Sequence, residues 1–262
     1  MRLVALALLL ATGLVAAPAA GAAVPPKGWT PDVAAAVKYA RARRGNISFA
    51  VRVPGGRLYG YRTARTAPSA SVLKAMLMVA YLNMHGVRSR ELGRGDLALL
   101  TPMIRRSDNR TAYRIRVIVG AGWLDRVARK AGMRRFAAAP AGSWGLSRIT
   151  AADQTRFFLE LERFVVPRHR ATALRLLRTI TLSQRWGIGE VTPKGWTAYF
   201  KGGWGSGTGA IDNQVALLTR GGERVSVAVL TTGDGSHAYG KATLRGVFKR
   251  LLRGLASARP AG

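Results

Sequence analysis

The 262-residue chain has no cysteine, which excludes disulfides, thiol catalysis, thiolate-held metals and a lipid anchor on an N-terminal cysteine. Histidine is nearly as scarce: three residues, with no H-E-x-x-H pair to hold zinc. No G-x-S-x-G elbow precedes a helix, which disfavours a Ser-His-Asp hydrolase. Acidic residues number 12 against 42 basic ones, a formal net charge of +30. Such a surface attracts polyanions. The basic residues, 34 Arg and 8 Lys, are spread along the whole chain, and no helix-turn-helix, zinc-finger or RNP-type pattern accompanies them. The expectation is loose attraction to an anionic cell envelope and no specific nucleic-acid binding. Past the N-terminal leader, no apolar run approaches membrane-spanning length.

The leader stands apart from the fold. Met1-Arg2 gives a positive start, Leu3 to Val15 is apolar, and small residues follow from Ala16 to Ala23 with Ala-x-Ala spacing. This reads as a secretory signal peptide over 1–23, leaving a mature domain over 24–262 that is exported and has no membrane span.

Hydrophobic residues make up 48% of the sequence, ample for a buried core. Thr30-Pro31-Asp32 predicts a helix start with Thr30 at the N-cap, running to about Arg43. Asn46 to Val53 and Arg57 to Arg62 flank Pro54-Gly55-Gly56 and predict a hairpin. Helical spacing follows over Ser71 to about Met84, Leu97 to Ile104, Arg110 to Val119 and Trp123 to Ala131. Thr150 with Asp153 predicts a capping box, and Pro167 opens a further helix ending near Ile180. Trp196 to Lys201, Ile211 to Thr219 and Arg224 to Thr231 read as strands, and about Ala238 to Leu255 as a closing helix. Strands at both ends of the chain can form one antiparallel sheet of about five strands. The first and last helices cover a face, and a helical lobe, about 65–185, lies between the sheet segments. The fold class is α+β.

Three short patterns carry the chemistry. Ser71-Val72-Leu73-Lys74 is S-x-x-K, Ser107-Asp108-Asn109 is S-D-N, and Lys201-Gly202-Gly203 approaches K-T-G. By composition alone they are expected about 0.4, about 0.005 and about 0.1 times, so all three in order is a coincidence on the order of one in several thousand. Ser71 and Lys74 at i and i+3 on a helix share a face, so the hydroxyl can meet the amine. A serine needs a base, and a lysine serves as one when burial or a second cation lowers its pKa. Ser71 at a helix start also faces free N–H groups, which suit an oxyanion.

In these three patterns and their order the chain resembles the class A β-lactamase and penicillin-binding DD-peptidase superfamily, from about Asn46 to the last helix. The resemblance implies that Ser71 forms an acyl-enzyme and that Lys74 is its base, directly or through water. Ser107 passes a proton to the leaving nitrogen, Asn109 binds the substrate's amide, and Lys201 holds its carboxylate. The N–H groups of Ser71 and Trp204 form the oxyanion hole, and Gly203 keeps the strand edge open. No cofactor or metal is implied; the partner is a β-lactam or a peptidoglycan stem peptide.

Three departures stand out. No E-x-x-L-N loop supplies the class A deacylating glutamate: Asp153 reads as a cap, Asp125, Glu160 and Glu162 as solvated or paired helix residues, and Glu190 has no clear part. The hydroxyl position of K-T-G is Gly202, so a carboxylate donor is missing unless Ser206 or Thr208 replaces it. The stretch between Ser71 and Ser107 is short. These leave open a lactamase, a D-Ala-D-Ala peptidase or a non-catalytic wall-binding module. His85 and His169 read as surface residues, and His237, ahead of the last helix, as its cap or as a residue that approaches the cleft. Trp123, Trp144, Trp186 and Trp196 read as core, and Trp204 as a cleft residue.

Overall fold

The computed structural model describes residues 23–205 and 210–258. The expected leader, except its last residue, and both Ser206 and Thr208 lie outside the described residues.

Helix α1 (Val33–Arg41) starts one step later than its proline suggested. Asp32 rather than Thr30 is the N-cap, its carboxylate accepting from Ala35 N at 2.9 Å. Strands β1 (Asn46–Arg52) and β2 (Leu58–Tyr61) form the hairpin. A short strand β3 (Thr66–Pro68) then leads into a 3-10 turn, Ala70–Val72, and helix α2 (Leu73–Asn83). Ten of the eleven α2 residues are buried, Lys74 among them, so this helix is the axis of the molecule. The lobe continues with α3 (His85–Arg88), α4 (Arg94–Arg105) and α5 (Asn109–Lys130). The two helices expected over the last stretch form one run broken at Gly120, whose φ of 65° and ψ of 175° no helix contains.

A 3-10 segment, Ala141–Leu146, precedes β4 (Arg148–Thr150), which pairs with β3. Sequence patterning missed this ribbon because three-residue strands far apart in the chain leave no period to read. Helix α6 (Ala151–Leu159) is capped by Thr150, but the expected box is half made. The Asp153 carboxylate turns away to accept from Arg134 N and Arg135 N, both at 3.0 Å. The Pro167–His169 turn opens α7 (Arg170–Arg178), and α8 (Ile188–Val191) follows. His169 is not a surface residue: it is buried, its Nε2 3.1 Å from Val87 O, because the turn folds it under α3.

Strands β5 (Thr197–Gly205), β6 (Ile211–Arg220) and β7 (Glu223–Thr232) complete an antiparallel five-stranded sheet of order β2-β1-β7-β6-β5. The terminal helix α9 (His237–Leu251) packs with α1 against the sheet, and α6 packs on it from the lobe. The α+β architecture expected from the sequence is the one found. Strand β5 is an edge, and its free side meets the 3-10 turn that carries Ser71. Among the described residues, no helix is long and apolar enough to cross a membrane.

Candidate active site

Ser71, Ser107 and Asn109 line one cleft of about 530 Å³ with Ala70, Trp144, Trp204 and Gly205. The fold thus gathers residues from three distant segments. Two backbone kinks set them in place. Ala70 and Ser107 have φ of 42° and 58°, a region L-residues with a side chain rarely occupy. One kink turns the chain into the Ser71 turn. The other aims Ser107 into the cleft just before Asp108 caps α5 through Thr111 N at 2.7 Å.

Gly203 explains how closely β5 approaches. A Cβ there would stand 2.6 Å from Ser71 N and 2.8 Å from Val72 N. Any side chain would push the strand off the turn that carries Ser71. Asn213, opposite Gly203 across the β5–β6 ladder, ties the same turn down from below, its Nδ2 donating to Pro68 O at 2.8 Å.

Both lysines are fully buried. The Lys74 amine donates to Asn109 Oδ1 at 2.8 Å and to the backbone oxygen of Ser107, and lies 3.1 Å from Ser107 Oγ. Lys201 Nζ lies 2.9 Å from the same Oγ and donates to Gly202 O at 2.7 Å. Ser107 Oγ is therefore the bridge in a Lys74–Ser107–Lys201 chain. The expected direct contact from Ser71 to Lys74 is not made. Three acceptors at the start of α5 draw the amine across the cleft rather than along its own chain, and among the described residues Ser71 is not one of its partners. Burial lowers the Lys74 pKa to about 7 against the opposing pull of Asp108. Burial, and then the Lys74 charge, hold Lys201 well below the ordinary lysine value. With Lys74 uncharged its lone pair can accept from Ser107 Oγ–H, which in turn accepts from Lys201, so the chain can pass a proton.

The K-T-G departure has a physical cause. A Cβ on Gly202 would lie 2.9 Å from the six-membered ring of Trp186. Trp186 is core, as expected, and is held by Gln214, whose Nε2 donates to Trp186 O at 2.9 Å. The ring fills the space a threonine side chain would need. Trp204, 36% exposed at the cleft, meets Trp186 edge-on at 5.9 Å and stacks on His237 at 5.3 Å and 21°. His237 is not the cap of α9: Ser236 is, accepting from Tyr239 N. The imidazole instead approaches Asp212, Nδ1 to Oδ1 at 2.6 Å, across from Trp204 in the ladder. Burial, then the neighbouring Asp234, push Asp212 up to about 8, while burial, then Lys241, lower His237. Both directions favour an uncharged imidazole beside a protonated Asp212 carboxyl.

Trp144 is core on one side only: it packs against the core and also faces the cleft, which was not expected. It sits half-buried on the cleft wall, ring centre 5.0 Å from Lys74 Nζ, because the 3-10 segment that holds it folds over the amine. No carboxylate lines the cleft among the described residues, and Asp153, Glu160 and Glu162 are engaged elsewhere. Trp144 on the cleft wall and the pairing of His237 with Asp212 are the site features that sequence reasoning missed. Among the described residues no cluster suited to a metal ion occurs.

The profile of the family described as the β-lactamase enzyme family matches residues 97–253. That stretch takes in Ser107–Asn109 and Lys201–Gly203 and begins after Ser71 and Lys74. A β-lactamase from Sphaerobacter thermophilus superposes with a TM-score of 0.73 at 21% identity, over 88% of this chain and 98% of that one. A class A β-lactamase from Mycobacterium abscessus gives 0.74 at 18%, over 86% and 99%. A β lactamase from Xanthomonas campestris pv. campestris gives 0.73 at 16%, over 86% and 97%. At these identities the likeness is one of fold. A sequence search of curated proteins returned no match.

Proposed function

The chain belongs to the β-lactamase enzyme family, and on that premise we propose that it is an exported serine hydrolase whose Ser71 is acylated by a β-lactam or a related amide. Uncharged Lys74 takes the Ser71 proton through a water, and Oγ attacks the carbonyl carbon. The oxyanion collects at the N–H groups of Ser71 and Trp204. The C–N bond breaks as Ser107 gives its proton to the leaving nitrogen, and the Lys74 ammonium restores that proton to Ser107. Lys74 is then uncharged again, and Lys201 keeps Ser107 in line. Asn109 holds both the amine and the substrate amide. Leader residues 1–23 carry the chain out of the cell, where its basic surface lingers near anionic envelope polymers.

The observation that carries this reading is the buried Lys74–Ser107–Lys201 chain beside Ser71, with Lys74 titrating near neutrality. A second reading, a peptidase on D-Ala-D-Ala stems with a long-lived acyl-enzyme, is favoured by one feature. Trp144 occupies the wall beside Lys74, and among the described residues no carboxylate lines the cleft to activate a deacylating water. Mass spectrometry after incubation with a penicillin separates the outcomes. Ring opening without a lasting adduct supports the lactamase and a stable adduct on Ser71 the peptidase. Neither adduct nor turnover would leave a non-catalytic wall-binding module and sink the acyl-enzyme proposal.

A further inference from the structure

The basic residues are spread evenly along the sequence, and the fold brings five of them to one cavity. A second cavity of about 580 Å³ lies on the helical lobe and shares no lining residue with the cleft at Ser71. It runs between α3, the second half of α5 and the 163–167 turn that leads to α7. Arg88, Arg126, Lys130, Arg163 and Arg170 all line it, all exposed, and no carboxylate lines it among the described residues. Charges numbered 88 to 170 thus converge on one groove.

The groove is built, not merely charged. Its floor is apolar, from Trp123, Val127, Phe164 and Val165. Arg126 lies over the Trp123 ring at 4.5 Å, and Arg170 Nε donates to Val165 O at 3.1 Å, so two of the guanidinium groups are held in place. Arg163 meets Glu160 at a long 3.3 Å on an exposed surface, a pairing worth little. Arg88, Arg126 and Lys130 make no salt bridge among the described residues. Five mutually repelling cations around an apolar floor lose that repulsion when a chain of oxyanions lies between them.

We propose that this groove is a binding site for a flexible polyanion, a chain of repeated phosphate or carboxylate groups. Arginine forks match either oxyanion in a two-pronged way, and a bound chain displaces counterions from several cations at once. A nucleic-acid strand is the poorer fit, because recognition of unpaired bases needs free aromatic faces. Trp123 already carries Arg126 over its ring and His85 at its edge, 5.8 Å away.

The test is binding of labelled inorganic polyphosphate and of poly-glutamate to the full chain, compared at near-physiological salt and then followed across a salt series. One variant removes three groove charges (Arg88→Gln, Arg126→Gln, Lys130→Gln). A control removes three exposed charges elsewhere (Arg57→Gln, Arg65→Gln, Arg245→Gln), so the two have equal net charge. The groove variant is expected to bind at least tenfold more weakly and the control within about twofold of the parent, with a shallower salt dependence in the groove variant only. The stronger of the two probes identifies the oxyanion. Equal weakening in both variants would show diffuse attraction alone and overturn the site. Tighter binding of an oligothymidylate than of either probe would overturn the ligand class. Unchanged circular dichroism and unchanged thermal midpoint exclude misfolding as the cause of any loss.

Discussion

Trp144 holds the centre of its indole 5.0 Å from the Lys74 amine, on the wall of the cleft that Ser71 opens into. The ring shields the amine from water, which helps keep it uncharged, and occupies space where a hydrolytic water would need to be activated.

Trp144→Gly opens that wall. The acyl-enzyme on Ser71 should then decay about tenfold faster, as bulk water gains access, while acylation slows because a better hydrated Lys74 holds its proton more firmly. Adduct decay followed by mass spectrometry tests this; an unchanged lifetime would show that Trp144 does not limit water.

Lys74 sets the pH profile. With its folded pKa lowered to about 7, acylation of Ser71 should rise through neutrality and level off above it. Lys74→Met should lower it by a factor of at least about 10². Stability carries the same signature. The unfolded lysine titrates at about 10.4, so between about pH 7 and 10 the unfolded chain holds the proton that the folded chain has released. Over that window the parent should gain stability relative to Lys74→Met as pH rises, and the gain is lost as pH falls to 7. Urea unfolding of both chains across the window measures it; parallel curves would place a charged amine in the folded site.

Gly202 and Trp186 compete for one volume. Gly202→Thr should destabilise by about 1–3 kcal/mol, the range for overpacking, and Trp186→Leu in the same chain should recover part of that loss. Thermal melts of the two single variants and the double variant close the cycle. Additive effects would mean that the ring moves aside without resistance.

Asp212 works in the opposite sense to Lys74. Its folded pKa is raised to about 8, by burial first and Asp234 second, above an unfolded value of about 3.9. Its contribution is full below pH 4 and lost as pH rises through 8. The parent should therefore lose stability relative to Asp212→Asn between those limits. A difference that grows in the parent's favour with pH would show an ionised carboxylate paired with a charged His237.

What was legible in the sequence was what is local. S-x-x-K, S-D-N and K-G-G each occupy a few consecutive residues, and their order carried the superfamily resemblance, while strand patterns at both ends of the chain carried the α+β sheet. Strands β5, β6 and β7 announced themselves through period and glycine turns. What stayed hidden depends on registers and on loops with no period. The β5–β6 ladder puts Asp212 opposite Trp204, a pairing no spacing rule contains. The 3-10 segment bearing Trp144 has no amphipathic pattern, so its tryptophan looked like any other core aromatic. Lys74 turned to Ser107 and Asn109 because acceptors numbered far away are folded to within hydrogen-bond distance of its amine.

The lowered pKa of the Lys74 amine has a long-range side. A molecule with 30 more cationic than anionic side chains makes any added proton less welcome at its centre, so arginines nowhere near Ser71 help strip the base of its charge. Dissolved electrolyte damps that field. Raising ionic strength should therefore move the midpoint of the acylation profile toward alkaline pH, and the surface composition becomes a component of the nucleophile's activation.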